Sequence, residues 1–279
     1  MIYVLYKNAG VLSGRALRRA LGKVEGIKVS GGFPSHLATQ KTTPKLLINL
    51  GTTEDVKAEK LVLNPRAMVI AASHKLLARE QFRDQGVPTP PLFRRVGEIK
   101  EEDLPVVGRT TRHHKGQGFW LCRTLREVSQ ASSAGATHFL GFIPNTREYR
   151  VHTFIRSKSL GKPVKERTPE DYKSIKISEK VWTGKGTPDP NIPQKNHQFG
   201  WTFLGQQNRR EEELAVVRQS AKMAIAALGM DFGAVDIMYQ IRYKLPYVLE
   251  INSTPSLADE NSDTCERYAG QITKIYQAQ

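Results

Sequence analysis

The chain of 279 residues is long enough for one large domain, or for two or three small ones, with an ample apolar core. Its two cysteines, Cys122 and Cys265, form no CxxC motif, which argues against a disulfide scaffold and a structural zinc site and fits a reducing cytosol. No segment reaches the roughly 20 apolar residues of a membrane span, so we expect a cytoplasmic protein without a membrane partner. The net charge of +15 permits binding to nucleic acid, an anionic surface or acidic small molecules and peptides.

The first 70 residues predict a small parallel α/β domain. Apolar runs predict four strands, at IYVLY, IKVSGG, KLLINLG and KLVLNP, and an amphipathic helix ending near Gly22 follows the first of them. Strands that alternate with helices or loops are typical of a parallel sheet.

The middle of the chain predicts one helix and several strands. AASHKLLAREQFRDQG predicts a helix with Ser73 as its N-cap and Gly86 at its end. DLPVVGRTTRHHKGQGFWLCRT predicts a strand, a glycine-rich loop and a second strand, and THFLGFIPNTREYRVHTFIRSKSL predicts a short and a longer strand. Periodicity is weak over 161–196, where we expect loops and short strands. REEELAVVRQSAKMAIAALGM then predicts a long helix.

The segment DFGAVDIMYQIRYKLPYVLEINSTPSL predicts a β-hairpin that carries polar side chains inside apolar strands. Glu250 and Asn252 share one face because strand residues alternate, and Asp236 lies on the partner strand. Unpaired carboxylates are costly to bury, whereas two carboxylates and a carboxamide form an oxygen ligand set suited to Mg²⁺. A solvent-facing polar stripe on an edge hairpin is the alternative that the hairpin alone leaves open.

A glycine-rich loop, GRTTRHHKGQGFW, lies between the two strands of the middle region. Its glycines allow backbone N–H groups to approach phosphates closely, and Arg109, Arg112 and Lys115 supply positive charge. It is neither a P-loop nor a Rossmann fingerprint, because GxxxxGK[ST] and GxGxxG are both absent. An ordinary hairpin turn is the alternative.

The strand TREYRVHTF carries three polar side chains on one face. Glu148, Arg150 and His152 alternate along it, with Tyr149 and Val151 on the other face. They form either an exposed salt-bridging surface or a cleft wall that turns an acid and a guanidinium toward phosphate.

Taken in order, these segments resemble the ATP-grasp superfamily, and within it carboxylate–amine ligases of the glutamate-adding and D-alanine–D-alanine ligase types. The resemblance covers about residues 71–275, and DFGAVDI followed by LEINSTP is its most specific part. It implies an α/β (α+β) ATP-grasp fold, in which two α+β subdomains clasp ATP beside an N-terminal small parallel α/β domain. The expected divisions are 1–70 for that domain, 71–135 for the small subdomain and 136–279 for the C-terminal subdomain.

The resemblance implies a metal and phosphate site. Asp236, Glu250 and Asn252 would hold two Mg²⁺ ions, for which Mn²⁺ could substitute. Lys75 and Arg109 would bind the α- and β-phosphates of ATP, and Arg109 stands where these ligases usually have a lysine.

The resemblance also implies how ATP and the substrate are held. Two segments would bind the nucleotide: a loop closing over the β- and γ-phosphates (His114, Lys115, Gly116, Gln117 and Gly118) and an adenine hinge (Leu140, Gly141 and Phe142). Glu148 would lie close to the ribose and Arg150 at the transferred phosphate or the acyl substrate. Lys165 or Arg167 would supply a further cation at the γ-phosphate. Ser256 stands where the family often has a glycine whose backbone helps to bind the developing oxyanion.

The implied reaction is ATP-dependent ligation of a carboxylate to an amine through an acyl phosphate, with ADP and phosphate as products. Residues 145–185 carry eleven Lys and Arg against five Asp and Glu, which favours an anionic amino acid, peptide or protein substrate. A small-molecule kinase of ATP-grasp type is one alternative. A nucleic-acid-binding or -modifying protein is another, although no nucleic-acid recognition motif is present. Family members often pair their subunits, which allows a homodimer.

Overall fold

The computed structural model describes residues 1–8, 12–40, 42–56, 61–111, 118–188, 195, 197–205, 208–257 and 263–279. Three β-sheets organise this part of the chain. No helix within it is both long and apolar enough to cross a membrane.

The N-terminal sheet is parallel and has the strand order β2-β1-β3-β4. Its elements are β1 (Ile2–Tyr6), α1 (Leu12–Gly22), β2 (Val29–Gly32), α2 (Pro34–Ala38), β3 (Leu46–Leu50) and β4 (Leu61–Leu63). Every residue of β1 and β3 is buried, which explains why these strands are continuous apolar runs in the sequence. The predicted parallel α/β arrangement is confirmed.

Two helices, α3 (Arg66–Ser73) and α4 (Lys75–Asp84), follow where the sequence predicts one. The predicted N-cap role of Ser73 is wrong, because its hydroxyl donates back to the carbonyl of Val69 within α3 at 2.7 Å. His74 breaks the helix, with φ −91° and ψ 85°, and its Nδ1 accepts from the backbone N–H of Leu77 at 3.3 Å. Lys75 is therefore the first residue of a new helix.

The small sheet is antiparallel, with the order β5-β8-β6-β7. It contains β5 (Leu92–Phe93), β6 (Val106–Arg109), β7 (Phe119–Cys122), α5 (Leu125–Ser133) and β8 (His138–Gly141). A reciprocal cap between Thr124 and Glu127 begins α5. Because β8 lies in this sheet, the sheet continues past the predicted division at residue 135, and the division at residue 70 falls inside α3.

The large sheet is antiparallel, with the order β11-β10-β9-β12-β13. Its elements are β9 (Thr146–Ile155), β10 (Tyr172–Trp182), β11 (Trp201–Gly205), α6 (Glu211–Ala227), β12 (Phe232–Gln240), β13 (Leu245–Asn252) and α7 (Thr264–Gln277). The prediction of loops and short strands over 161–196 is wrong for 172–182, where β10 is a long strand of 11 residues. A register shift between Ser174 and Lys176 interrupts its alternation, which hides the strand from a periodicity argument.

Buried polar contacts join the N-terminal sheet to the large sheet. The side-chain carbonyl of Asn64 accepts from the backbone N–H of Asp231 at 2.8 Å, and its amide donates to the carbonyl of Phe232 at 2.9 Å. The backbone N–H of Asn64 donates to Asp231 Oδ2 at 2.6 Å, and Arg167 Nη1 to Asp231 Oδ1 at 2.9 Å. We call these four residues the junction network. One apolar core continues from the N-terminal sheet into the large sheet around it.

Candidate functional site

A cavity of about 890 Å³ lies between the small sheet and the large sheet. Cavities of roughly 300–1,000 Å³ are typical of small-molecule sites. Strands β9, β10, β12 and β13, with helix α4 packed against β13, form its charged wall, while β6, β7 and β8 of the small sheet form the opposite one.

The acids of the predicted hairpin meet at the charged wall. Asp236 and Glu250 are directly opposite one another on β12 and β13, immediately before a register shift. Asn252 Nδ2 donates to Asp236 Oδ2 at 3.3 Å, so the three predicted oxygen ligands lie together. Asp236 and Glu250 both line the cavity, which a solvent-facing polar stripe would not explain. No group of three or more His, Cys, Asp and Glu side chains placed to hold a metal occurs in the described ranges, so a metal here would rest on two carboxylates and a carboxamide.

Each of the two carboxylates is paired with a cation. Lys75 Nζ lies 2.6 Å from Glu250 Oε2. The guanidinium of Arg150 makes a bidentate pair with Asp236, with Nε–Oδ1 at 2.7 Å and Nη2–Oδ2 at 2.8 Å. Burial raises the pKa of Glu250, but the neighbouring cations, Lys75 first among them, outweigh this and hold the pKa below its usual value. Glu250 is therefore charged, and the two acids together fit a hard divalent cation once Lys75 and Arg150 turn to another anion.

Further positive charge lines the cavity from the small sheet and from helix α4. Arg109 ends β6, with its guanidinium 5.5 Å from the centre of the Phe119 ring. Arg79, which the sequence analysis did not identify, lies one turn after Lys75 on α4 and lines the same cavity. The four-residue spacing from Lys75 was the available signal, since residues so spaced share a helix face. With Arg150, these cations outnumber the two acids by two, which suits a polyphosphate.

The other end of the cavity is apolar. Leu140, Gly141 and Phe142, the predicted hinge, line it together with Ile143 and Met238. The backbone N–H of Gly141 donates to the carbonyl of Pro91 at 2.9 Å, and that of Phe142 to Pro105 at 3.0 Å. These two N–H groups are therefore occupied within the small sheet, and the hinge residues offer apolar contact to a flat ring.

Glu148 faces the cavity beside this apolar end. Lys180 Nζ lies 2.5 Å from Glu148 Oε2, and Lys195 Nζ lies 3.9 Å from Glu148 Oε1. Burial lowers the pKa of Lys195, whose ammonium also donates to the carbonyl of Thr146 at 2.7 Å. Sequence reasoning missed both lysines, since each reaches Glu148 only through the pairing and folding of β10 and the segment after it.

The third residue of the strand face, His152, also lines the cavity, beyond Arg150. Its Nδ1 lies 3.2 Å from the hydroxyl of Tyr268, and burial lowers the pKa of His152 to about 3. The imidazole is therefore neutral at physiological pH. Ser256 lines the cavity too, on the segment that follows β13.

The prediction that Lys165 or Arg167 supplies a cation at this cavity is not supported by their positions. Neither residue lines the cavity. Lys165 is exposed on a short 3₁₀ helix whose Val164 packs against Gly229, and Arg167 is held in the junction network. Lys176 and Lys180, on β10, line the cavity instead.

The predicted phosphate loop lies mostly outside the described residues. His114, Lys115, Gly116 and Gln117 belong to the undescribed range. Gly118 is described and has φ +59°, and a Cβ there would stand 2.7 Å from Thr110 Oγ1. The backbone at this end of the loop therefore requires glycine.

Comparison with other proteins gives matches among solved structures alone: no family model and no curated protein matches the sequence. The ATP-grasp ligase PsnB, complexed with a minimal precursor, is 12% identical, with a TM-score of 0.66 over 98% of both chains. N5-carboxyaminoimidazole ribonucleotide synthetase from Thermotoga maritima is 11% identical, with a TM-score of 0.66 over 99% of this chain and 75% of that one. D-alanine–D-alanine ligase from Bacillus anthracis, complexed with ATP, is 13% identical, with a TM-score of 0.64 over 99% and 97%.

These neighbours share one architecture with this chain, a mixed α/β arrangement that combines a parallel sheet with antiparallel sheets. Their agreement over nearly the whole chain is a statement about fold, since the identities are near 12%. The chain therefore has the fold of the ATP-grasp carboxylate–amine ligases.

Proposed function

We propose that this protein is an ATP-dependent ligase that joins a carboxylate to an amine through an acyl phosphate, with ADP and phosphate as products. The observation that carries the proposal is the facing pair Asp236 and Glu250, set among four cations in a cavity with an apolar end. The two carboxylates suit a metal ion, and the surrounding cations suit a polyphosphate. Together they fit a metal–polyphosphate complex better than a metal ion alone or a polyphosphate alone.

The cavity offers a place for each part of Mg-ATP. The apolar end would take adenine, with Glu148 near the ribose, and Lys75 and Arg109 would take the α- and β-phosphates. Asp236, Glu250 and Asn252 would hold Mg²⁺, as two ions in the proposed complex, and Mn²⁺ offers a substitute with similar oxygen preference. When bound, the metal neutralises charge on the phosphates during transfer. Structures of PsnB contain Mg and ADP, and that of the Bacillus anthracis ligase contains ATP.

The proposed reaction has two steps. A carboxylate oxygen of the substrate attacks the γ-phosphorus, and the bond to the β-phosphate oxygen breaks to release ADP. The amine then attacks the carbonyl carbon of the acyl phosphate; phosphate leaves with the electrons of the C–O bond, and the amine loses a proton. Arg150, freed from Asp236 by the metal, would stabilise the transferring phosphoryl group. Ser256 would lie near the oxyanion that develops in the second step.

The substrate is proposed to be anionic. The cavity extends past Asp236 to His152 and Lys176, on the side away from the apolar end. Lys176 Nζ lies 2.8 Å from the carboxylate of Asp263, which is exposed to water. A substrate carboxylate could therefore take the place of Asp263 in this ion pair. PsnB has been solved with a precursor peptide, which supports testing acidic peptides as well as amino acids.

The test is ADP release from ATP and Mg²⁺ against a panel of amino acids and acidic peptides, with mass spectrometry of the products. We expect substrate-dependent ADP release and a mass gain equal to one amide condensation. Glu250→Gln should abolish both, and Glu266→Gln, an exposed carboxylate on α7, should leave both intact.

Other products would contradict parts of the proposal. AMP and pyrophosphate in place of ADP and phosphate would exclude the acyl phosphate. A phosphorylated product without a new amide would indicate a small-molecule kinase. Failure of the protein to bind Mg-ATP would favour the alternative in which its positive charge serves to bind nucleic acid.

A further inference from the structure

Arg79 is a buried cation, and two of its three guanidinium nitrogens have no hydrogen-bond partner among the described residues. Its side chain lines the cavity, yet the residue is only 5% exposed. Its Nε and Nη1 atoms are sealed from water, and neither has a hydrogen-bond partner among the residues that the structure describes. Three of the five N–H groups of the guanidinium therefore make no hydrogen bond to this described part of the chain.

Such an arrangement is unfavourable in the ligand-free protein. Buried polar groups are normally hydrogen-bonded, and a buried guanidinium is normally paired with an acid. Burial lowers the pKa of Arg79 to about 10, which still leaves it charged at neutral pH. Glu250, the acid whose charge acts on it most, is already in contact with Lys75. A purely structural arginine would have its donors satisfied, as those of Arg167 are by Asp231 and by the backbone carbonyls of Gly229 and Lys162.

The surroundings of Arg79 indicate which ligand would satisfy it. Lys75 lies one turn earlier on the same helix, and the charge of Arg109 is close enough to lower the pKa of Arg79. Three cations at one place, with one acid between them that a metal would engage, call for a multivalent anion. A planar guanidinium matches two oxygens of a phosphate group at once.

We propose that Arg79 turns its guanidinium into the cavity that it lines and binds the α- and β-phosphates of the nucleotide, and that this contact satisfies donors which the ligand-free protein leaves unpaired. This inference rests on the proposed ATP-dependent function. It adds Arg79 to the phosphate-binding residues that the sequence resemblance implied. The inference has a second consequence for stability. Because the buried donors of Arg79 are unpaired until the nucleotide binds, Arg79 lowers the free energy of unfolding of the ligand-free protein. Replacing it with an apolar side chain of similar length should weaken phosphate binding without loss of stability.

The experiment compares Arg79→Met with Arg83→Met. Both are the same substitution on α4, four residues apart, but Arg83 is exposed, paired with Asp84 and absent from the cavity lining. Calorimetric titration with adenosine, AMP and ADP in the presence of Mg²⁺ measures affinity, and thermal unfolding without ligand measures stability. Arg79→Lys, which keeps the charge but loses the two-pronged geometry, provides a second variant.

We expect Arg79→Met to weaken ADP binding on the order of 10- to 100-fold, to weaken adenosine binding not at all, and to unfold at the same or a higher temperature. The ADP affinity of Arg79→Lys should lie between that of Arg79→Met and that of the wild type. Arg83→Met should match the wild type. Equal loss for adenosine and ADP with a lowered unfolding temperature would overturn the inference, as would unchanged ADP affinity in Arg79→Met. If the wild type itself binds no ADP, the proposed function fails and this inference fails with it.

Discussion

Two aspartates at the ends of the short segment DFGAVD have opposite surroundings. Asp231 pairs with Arg167, and the two side chains are 2% and 6% exposed. Asp236 pairs with Arg150 at similar distances, but these side chains are 15% and 23% exposed and line the cavity. The same ion pair occurs twice, once sealed and once open.

The difference shows which buried charges are available for chemistry. Asp231 has a second partner in the backbone N–H of Asn64, so it can take on a new ligand only by opening the join between two sheets. Asp236 can exchange Arg150 for a metal ion within an existing cavity. Burial and pairing alone therefore do not mark a functional acid, and access to an incoming ligand is needed as well.

The largest expected effect is on turnover. Asp236→Asn removes a proposed metal ligand, and we expect the rate of ADP formation to fall on the order of 10³-fold, since charge on the transferring phosphoryl would lose its counter-ion. We expect the folded fraction of Asp231→Asn to keep near wild-type activity, because Asp231 lies outside the cavity. Steady-state ADP release with the substrate found in the panel of amino acids and acidic peptides measures both variants. Equal rates for Asp236→Asn and the wild type would contradict the exchangeable role of this pair.

The next effect is on stability, and here we expect the substitution at Asp231 to cost more than the one at Asp236. Asp231→Asn leaves Arg167 buried without its counter-ion, so we expect the free energy of unfolding to fall by about 3–5 kcal/mol. Urea denaturation measures the change, and Asp84→Asn, an exposed acid on α4, is the matched control. A loss in Asp231→Asn no greater than that in Asp236→Asn would remove the distinction between the sealed and the open pair.

A smaller effect concerns Mg²⁺ and ADP together. Metal alone must displace Lys75 and Arg150 from the two carboxylates, whereas ADP offers those cations new partners. We therefore expect each ligand to tighten binding of the other by about 1–3 kcal/mol. Titration of ADP at several Mg²⁺ concentrations measures the coupling. Independent binding would mean that the ion pairs at the open site do not need to exchange.

The smallest effect is a pH dependence at His152, next to the open pair. Its pKa in the folded protein is about 3, below the value of 6.5 for a free imidazole, so between these values the unfolded chain binds the extra proton. Stability should therefore be lost as the pH falls from 6.5 toward 3, by up to about 1.4 kcal/mol per pH unit from this group. His152→Gln should show a shallower loss in urea denaturation at several pH values. Parallel curves would contradict a buried neutral imidazole.

Much of the fold follows from the sequence, because apolar strands and a hairpin with embedded acids are local patterns. The hairpin of β12 and β13 and the parallel N-terminal sheet could be predicted in this way. The start of α4 was predicted one residue early, with Ser73 in place of His74 as its N-cap, and helix α3 before it was not predicted.

The candidate site was less predictable where it depends on pairing between distant strands. Lys165 was assigned through the family resemblance, in a segment where that resemblance is weak, but the segment packs near Gly229 and away from the cavity. Lys180 reaches Glu148 because the register of β10 on β9 brings it there, and that register includes a shift which no periodicity reveals. Arg79 was missed for a different reason: a lone arginine on a helix resembles any exposed one until its burial is known.

The junction network restricts how the molecule can move. Because Asn64 bonds both to Asp231 and to the strand that follows it, buried hydrogen bonds hold the N-terminal and large sheets together as one body. The chain leaves that body for the small sheet near Pro88, whose carbonyl accepts from Val248 on β13 at 2.7 Å, and returns near Asn145, whose carbonyl accepts from Ile241 at 3.1 Å. Asn145 has φ +52°, a conformation that marks a sharp turn at the second crossing. A hinge at these two crossings would swing the small sheet alone, carrying Arg109 toward or away from acids that stay still.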